Sequence, residues 1–265
     1  MSTALKIQNI EQWQVEAFKD SSIVNVALPT EAHERTTDQY CFTDSYRCAA
    51  YITTAAAVMG IKLYVKKTKK MRSKTGKGKH VIVFGTGLFI GADEITLTMV
   101  NSADGLSAQK LLLGILRALC DNGLLVVNSI IPSERIIHKG PMTYERVEQA
   151  VHKMLNRLQA LKEFTERLQT TRLNNEQINA LAKQALEIRG IKDVSPEFTT
   201  VDKVRRPEDA DNTAWNVYNR IQENLTKGFT LIQGGKVKQV QALRSPVSDL
   251  NMNLKLADAV FKLVA

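Results

Sequence analysis

The chain has 265 residues, 44% of them apolar and 24% charged, with a formal charge of +9. That is ordinary globular composition, long enough to bury a core without disulfides or a structural metal. No apolar run reaches the ~20 residues of a membrane span, the longest, from Leu111 to Leu119, being interrupted by Arg117. The first residues also lack a charged-then-apolar signal layout, so membrane insertion and secretion are excluded as expectations and a cytoplasmic protein is expected.

Residues 1–30 carry Trp13, Val15 and Phe18 and then SSIVNVALP, which reads as a short helix followed by a strand stopped at Pro29. Tyr40 to Thr43 suits a short strand, and Asp44 or Ser45 can cap a helix through RCAAYITTAAAVMG that Gly60 stops. Ile61, Leu63 and Val65 alternate with Lys62, Tyr64 and Lys66. Val81 to Phe84 is apolar throughout, which predicts one strand with a wet face and a second covered on both faces. EITLTMV, residues 94–100, completes a three-stranded meander. In NSADGLSAQKLLLGILRALCDNGLL, Asp104 or Ser107 is expected to cap a helix that is apolar on nearly every side and packs on the sheet.

From Thr143 the apolar residues Val147, Val151, Met154, Leu158, Leu161 and Leu168 form a seam on one long helix, which packs within the chain or pairs with another copy. A second helix, Asn175 to Arg189, is capped by Asn174 and stopped by Gly190. Residues 191–211 read as a linker or long loop. A third helix carries Trp215, Tyr218, Ile221 and Leu225 up to Gly228, and a last runs from about Asp249 to the end. The expected fold class is α+β: an antiparallel β-meander with a packed helix in an N-terminal domain, 1–141, and a helical C-terminal domain, 142–265.

The charge is concentrated. Lys62 to His80 holds eight lysines and one arginine with no carboxylate, and Ser45 to Ala92 holds ten basic residues and no acidic ones. Taking those ten from +9 leaves the rest of the chain at about −1. So concentrated a cation asks for a polyanion. A lysine-rich turn can simply be a solvated hairpin tip that discourages edge pairing, but nine unopposed charges in nineteen residues repel one another and phosphates relieve that. Lysine suits backbone contact more than base reading, while Tyr64 and Phe84 on the flanking strands offer stacking faces for unpaired bases. The candidate nucleic-acid-binding residues are Lys62, Tyr64, Lys66, Lys67, Lys69, Lys70, Arg72, Lys74, Lys77 and Lys79, joined by Arg117, which needs a carboxylate or an anion on its apolar segment.

Enzymatic signatures are sparse. VIVFGTGLFIG runs into another strand rather than the helix that a phosphate-binding GxG turn requires, so its glycines read as a bulge or tight turn. KTGKGK lacks the P-loop order. His33, His80, His138 and His152 have no metal spacing with carboxylate partners. Cys41, Cys48 and Cys120 are an odd number without CxxC spacing and read as reduced small residues. No catalytic residue, metal or cofactor is expected.

Residues 101–124, NSADGLSAQKLLLGILRALCDNGL, resemble the core of an uncharacterised phage/plasmid-like protein family found in prophages and mobile elements. IIHKG at 136–140, TAWNVYNRIQEN at 213–224 and LPTEAHERT at 28–36 resemble further segments of it. The matching positions are Asn101, Ser102, Asp104, Gly105, Ser107, Arg117, Cys120, Asn122, Gly123, His138, Gly140, Ala214 and Trp215. Ala103 departs from the family's usual histidine, so no role of that histidine carries over. The resemblance implies a mobile-element setting in a host bacterial cell and no settled activity. Together with the lysines it leads to the expectation of a protein that binds nucleic acid, single-stranded DNA above all, as a homo-oligomer that binds or anneals strands in recombination or replication. The alternative is an interaction protein that counters a host defence or replication factor. No membrane partner is expected.

Overall fold

A computed structural model of the chain describes residues 28–34, 36–70, 78–116, 124–125 and 131–264. The expected elements before Pro29, and Arg72, Lys74, Lys77, Arg117, Cys120, Asn122 and Gly123, lie outside the described residues. The chain divides into two compact units. The first comprises residues up to Phe89, Glu94–Leu113 and Ser133–Leu158; the second comprises Ile90–Asp93, Gly114–Pro132 and Gln159–Ala265.

In the first unit, α1 spans Ser45–Val58. The Asp44 carboxylate accepts from the amides of Tyr46 and Arg47, satisfying orphan donors of the first turn. At the other end Gly60 N donates to Ala57 O and Ile61 N to Ala56 O, with Gly60 at φ +79°, a left-handed stop open to glycine. The small residues Cys48, Ala49, Ala55 and Ala56 are buried. The helix Tyr144–Leu155, α2, packs on α1 with Tyr144 edge-on to Tyr51 at 5.7 Å.

The strands are β1 Tyr64–Lys70, β2 His80–Ile90, β3 Asp93–Asn101, β4 Gln109–Leu116, β5 Leu124–Leu125 and β6 Glu134–Ile136. Their order is β1-β2-β3-β4-β5, with β6 also on β4, so the expected meander is present and β1 is an edge among the described residues. Its pairing to β2 shifts between Val65 and Lys67, a bulge that leaves Lys66 out of register. The α+β class holds, but the apolar segment after Asp104 is strand β4 rather than a helix. Leu111, Leu112, Leu113 and Ile115 are all buried, as expected of a strand covered on both faces and paired on both edges, a pattern that periodicity cannot tell from a buried helix. Asp104 caps no helix; its Oδ1 accepts from Leu106 N at 3.0 Å in a turn before β4.

The expected long helix is two. α2 ends at Leu155, Asn156 caps it, and α3 restarts at Leu158–Thr170. Val147, Val151, Met154, Leu161 and Leu168 of the expected seam are fully buried within the single chain, while Leu158 is half-buried.

The second unit contains α3, α4 Asn175–Ile188 with an Asn174–Gln177 capping box, α5 Ala214–Lys227, the hairpin β7 Phe229–Gln233 and β8 Lys236–Val240, and α6 Pro246–Val264. The hairpin was not expected. Its Gly234-Gly235 turn, both at positive φ, is the usual two-residue hairpin link. Residues 191–211 are not a free linker: Val201 and Asp209 are fully buried, and two short 3-10 turns, 196–198 and 207–209, lie within them. Among the described residues no helix is long and apolar enough to cross a membrane.

Candidate nucleic-acid interface

Six of the candidate lysines are described. Lys62 precedes β1; Lys66, Lys67, Lys69 and Lys70 lie on it; Lys79 leads into β2. Lys67 pairs with Val83 and Lys69 with Val81, which puts them on one face of the sheet, while Thr68 and Lys70 share the other with Ile82 and His80. Among the described residues no carboxylate pairs with Lys62, Lys69 or Lys79.

Lys66 differs, because its Nζ donates to Glu94 of β3. Glu94 is almost fully buried and accepts in addition from Tyr64 Oη at 2.7 Å and from Gly87 N at 2.9 Å. Burial alone would push its carboxyl up, but the hydrogen bonds from Lys66, Gly87 and Tyr64 outweigh that and hold it below the usual carboxylate range. Burial, and then the carboxylate partner, push the Tyr64 phenol up to about 12. Glu94, two residues beyond the all-basic window, is thus engaged by a lysine, a tyrosine and a backbone amide.

Tyr64 is 46% exposed, as a stacking role requires. Phe84 is not: it is fully buried, its side chain on the core face opposite Val65, so its expected stacking role fails. The exposed rings and branches nearby are instead Leu88 and Phe89, at the far end of β2.

Behind the hairpin lies a buried polar layer. His80 Nε2 is 2.7 Å from Ser45 Oγ, and Asn101 Nδ2 donates to Ser45 Oγ at 2.8 Å and to Thr43 O at 3.3 Å. Thr43 Oγ1 is 3.0 Å from His138 Nδ1, His138 stacks on Tyr40 at 5.0 Å, and Tyr40 Oη donates to Ser102 O. Ser102 Oγ in turn meets Ser107 Oγ at 2.9 Å. A serine within hydrogen-bond reach of a histidine is the geometry of an activated nucleophile. Here Ser45 and His80 are each 1% exposed, and burial pushes His80 down to about 4, so the pair knits the start of α1 to β2 and β3. Asn101, Ser102 and Ser107 of the recognised core motif are thus tied into the fold, and Asp104 and Gly105 form its turn. Among the described residues no cluster of histidine, cysteine and carboxylates could hold a metal.

The other recognised segment is also structural. On α5, Arg220 binds Asp202 and Asn212 together with the carbonyl of Asp211. Glu223 binds Arg206 and Lys227, and Asn224 holds the carbonyls of Val201 and Lys203. These buried polar side chains pin residues 201–212. Trp215 is core, stacked on Tyr218.

Residues 84–259 match the family described as Domain of unknown function (DUF932). The chain belongs to the DUF932 family. Two curated relatives, the UPF0380 proteins YfjQ and YafZ of Escherichia coli (strain K12), are each 32% identical over 174 residues, which is 64% of this chain and 63% of each relative. The chain thus spans slightly less than two thirds of their length. No solved structure matches. The DUF932 segment begins inside β2 and takes in the Asn101 turn, the His138 loop and α5. It leaves out α1, β1 and all six described lysines.

Proposed function

We propose that this chain binds single-stranded DNA along strand β1 and acts in recombination or replication for a mobile element in the cytoplasm of its host cell. The observation that carries this reading is the set of Lys67, Lys69 and Lys70 on an edge strand, with Lys62 before it and Lys79 leading into β2, beside a half-exposed Tyr64 and with Glu94 engaged by Lys66. Lysines along an edge follow a flexible phosphate backbone, and a tyrosine face accepts any base. Duplex reading would call for an element shaped to a groove. Strand annealing by an oligomer fits a binding surface without catalytic demands, as an analogy of function only.

Fluorescence polarisation of labelled oligothymidylate at about 50 and 200 mM salt tests the proposal, since several phosphate contacts make affinity fall steeply with salt. Steep loss is expected. Absent binding, or binding indifferent to salt, overturns it.

A further inference from the structure

A second basic feature lies in the first unit, around a cavity of about 250 Å³ whose wall includes Gln39, Tyr40, Ser107, Arg135, His138 and Lys139. In the β4–β6 register Arg135 stands directly opposite Lys110, both exposed. Like charges facing across strands are destabilising, and among the described residues neither has a carboxylate partner, nor does Lys139. The neighbouring Glu134 is committed to Arg157 at 2.8 Å and Lys153 at 3.9 Å.

The loop bearing His138 and Lys139 is held rigidly. The Arg146 guanidinium donates to the carbonyls of Ile137 at 2.8 Å, Pro141 at 3.0 Å and Lys139 at 3.1 Å. Carbonyls leave its charge uncompensated. Cys41 N donates to His138 O at 2.9 Å, tying the loop to the segment that carries Tyr40. Two cations, Arg135 and Lys139, therefore line the concavity, with Lys110 opposite Arg135 in the sheet, and the charge of Asp104 reaches Tyr40 and His138.

His138 is 7% exposed, and while its Nδ1 meets Thr43, its Nε2 has no partner. A buried polar nitrogen left unpaired is costly.

We propose that this cavity binds a phosphate monoester, Arg135 and Lys139 meeting its charge and the Ser107 hydroxyl its oxygens. A monoester carries close to two negative charges at neutral pH, more than a carboxylate or a backbone diester, and presents three acceptor oxygens to the arginine fork and the neighbouring donors. The volume lies below that of pockets for drug-sized ligands, which start near about 300 Å³. It suits a single nucleotide or the phosphorylated end of a strand. The site does not depend on the reading of β1.

Calorimetry on the intact chain with thymidine 5′-monophosphate and with thymidine tests it. The monophosphate should bind saturably, with thymidine weaker by about tenfold or more, and Arg135→Ala and Lys139→Ala should each cost about tenfold, the worth of one charge-assisted hydrogen bond. Both side chains are exposed, so the variants fold, and Lys69→Glu should leave monophosphate binding intact while weakening oligothymidylate. A 5′-phosphate that strengthens oligothymidylate binding, with the gain lost in Arg135→Ala, identifies the source as a strand end. No such gain, with monophosphate binding retained, identifies a free nucleotide. Equal affinity for thymidine, or monophosphate binding unchanged in both variants, overturns the proposal.

Discussion

The ring of Tyr64 comes close to the backbone of Gly85, its cross-strand partner: a β-carbon on residue 85 would stand 2.4 Å from Tyr64 Cζ and 2.6 Å from Glu94 Oε1. Glycine is needed there for close approach, since it lets the phenol reach Glu94. Gly85→Ala should therefore lift Tyr64 off the sheet and cost about 1–3 kcal/mol, the range for overpacking. Urea denaturation checks the stability, and weaker oligothymidylate binding should accompany it if the ring's pose matters for stacking.

Glu94 sets two opposed effects on one residue. Glu94→Gln releases Lys66 and should raise affinity for oligothymidylate and steepen its salt dependence by about one phosphate contact, as expected when one more cation meets the backbone. The same change should lower stability, since Tyr64, Lys66 and Gly87 lose a charged acceptor. For the wild-type protein the folded carboxyl lies below its ordinary range. Its stabilising contribution is thus present above the unfolded pKa and lost as pH falls through the folded one. Urea midpoints of wild type and variant should converge on acidification; parallel curves would argue against the ionised acceptor.

The same geometry orders the lysines. Lys66 is already paired, so Lys66→Ala should weaken oligothymidylate binding less than Lys69→Ala does, and both should act alike on every base sequence. Polarisation titrations with several homopolymers measure this; a larger effect at Lys66 would mean that the salt bridge opens on binding.

How much of this was legible in the sequence depended on what a pattern can encode locally. The Asp44 and Asn174 caps, the Gly60 stop and the β1–β2–β3 meander each rest on neighbours in the chain, and they are present as expected. Gln109–Leu116 failed because five apolar residues around a glycine satisfy a buried helix and a buried strand equally, and only the pairing of β4 on both edges decides. The hairpin at 229–240 has a local signature in Gly234-Gly235, a two-residue turn between short strands. At the candidate sites the lysines were visible, but the neutralising Glu94, the burial of Phe84 and the meeting of Arg135 with Lys110 are relations between distant segments that no single stretch displays.

His80 offers a pH-dependent test of the buried layer. Burial holds its folded pKa at about 4 against an ordinary 6.5, so between those values the unfolded chain binds a proton that the folded one refuses. Stability is therefore greatest above pH 6.5 and falls as pH drops toward 4, by about 3 kcal/mol for a shift of this size. His80→Asn should remove most of that acid limb, at the expense of stability at pH 7 because Ser45 and Asn101 lose their fitted neighbour. His138, shifted in the same direction, leaves a remainder. Urea denaturation at pH 7 and pH 5 gives the comparison, and an undiminished pH dependence in the variant would refute the assignment.

Arg220 separates scaffold from interface. Its side chain is 5% exposed and holds Asp202, Asn212 and the carbonyl of Asp211, so Arg220→Ala strands a carboxylate and several carbonyls in the loop at 201–212. Breaking a buried pair from one side costs about 3–5 kcal/mol, more than most exposed ion pairs contribute. Because this network belongs to the second unit and the lysines of β1 to the first, the variant should lose stability in urea while its affinity for oligothymidylate, measured where it remains folded, is unchanged. Loss of DNA binding by a folded Arg220→Ala protein would instead make the α5 segment part of the binding machinery, and would shift attention from the lysine edge to the stretch that this chain shares with the DUF932 family.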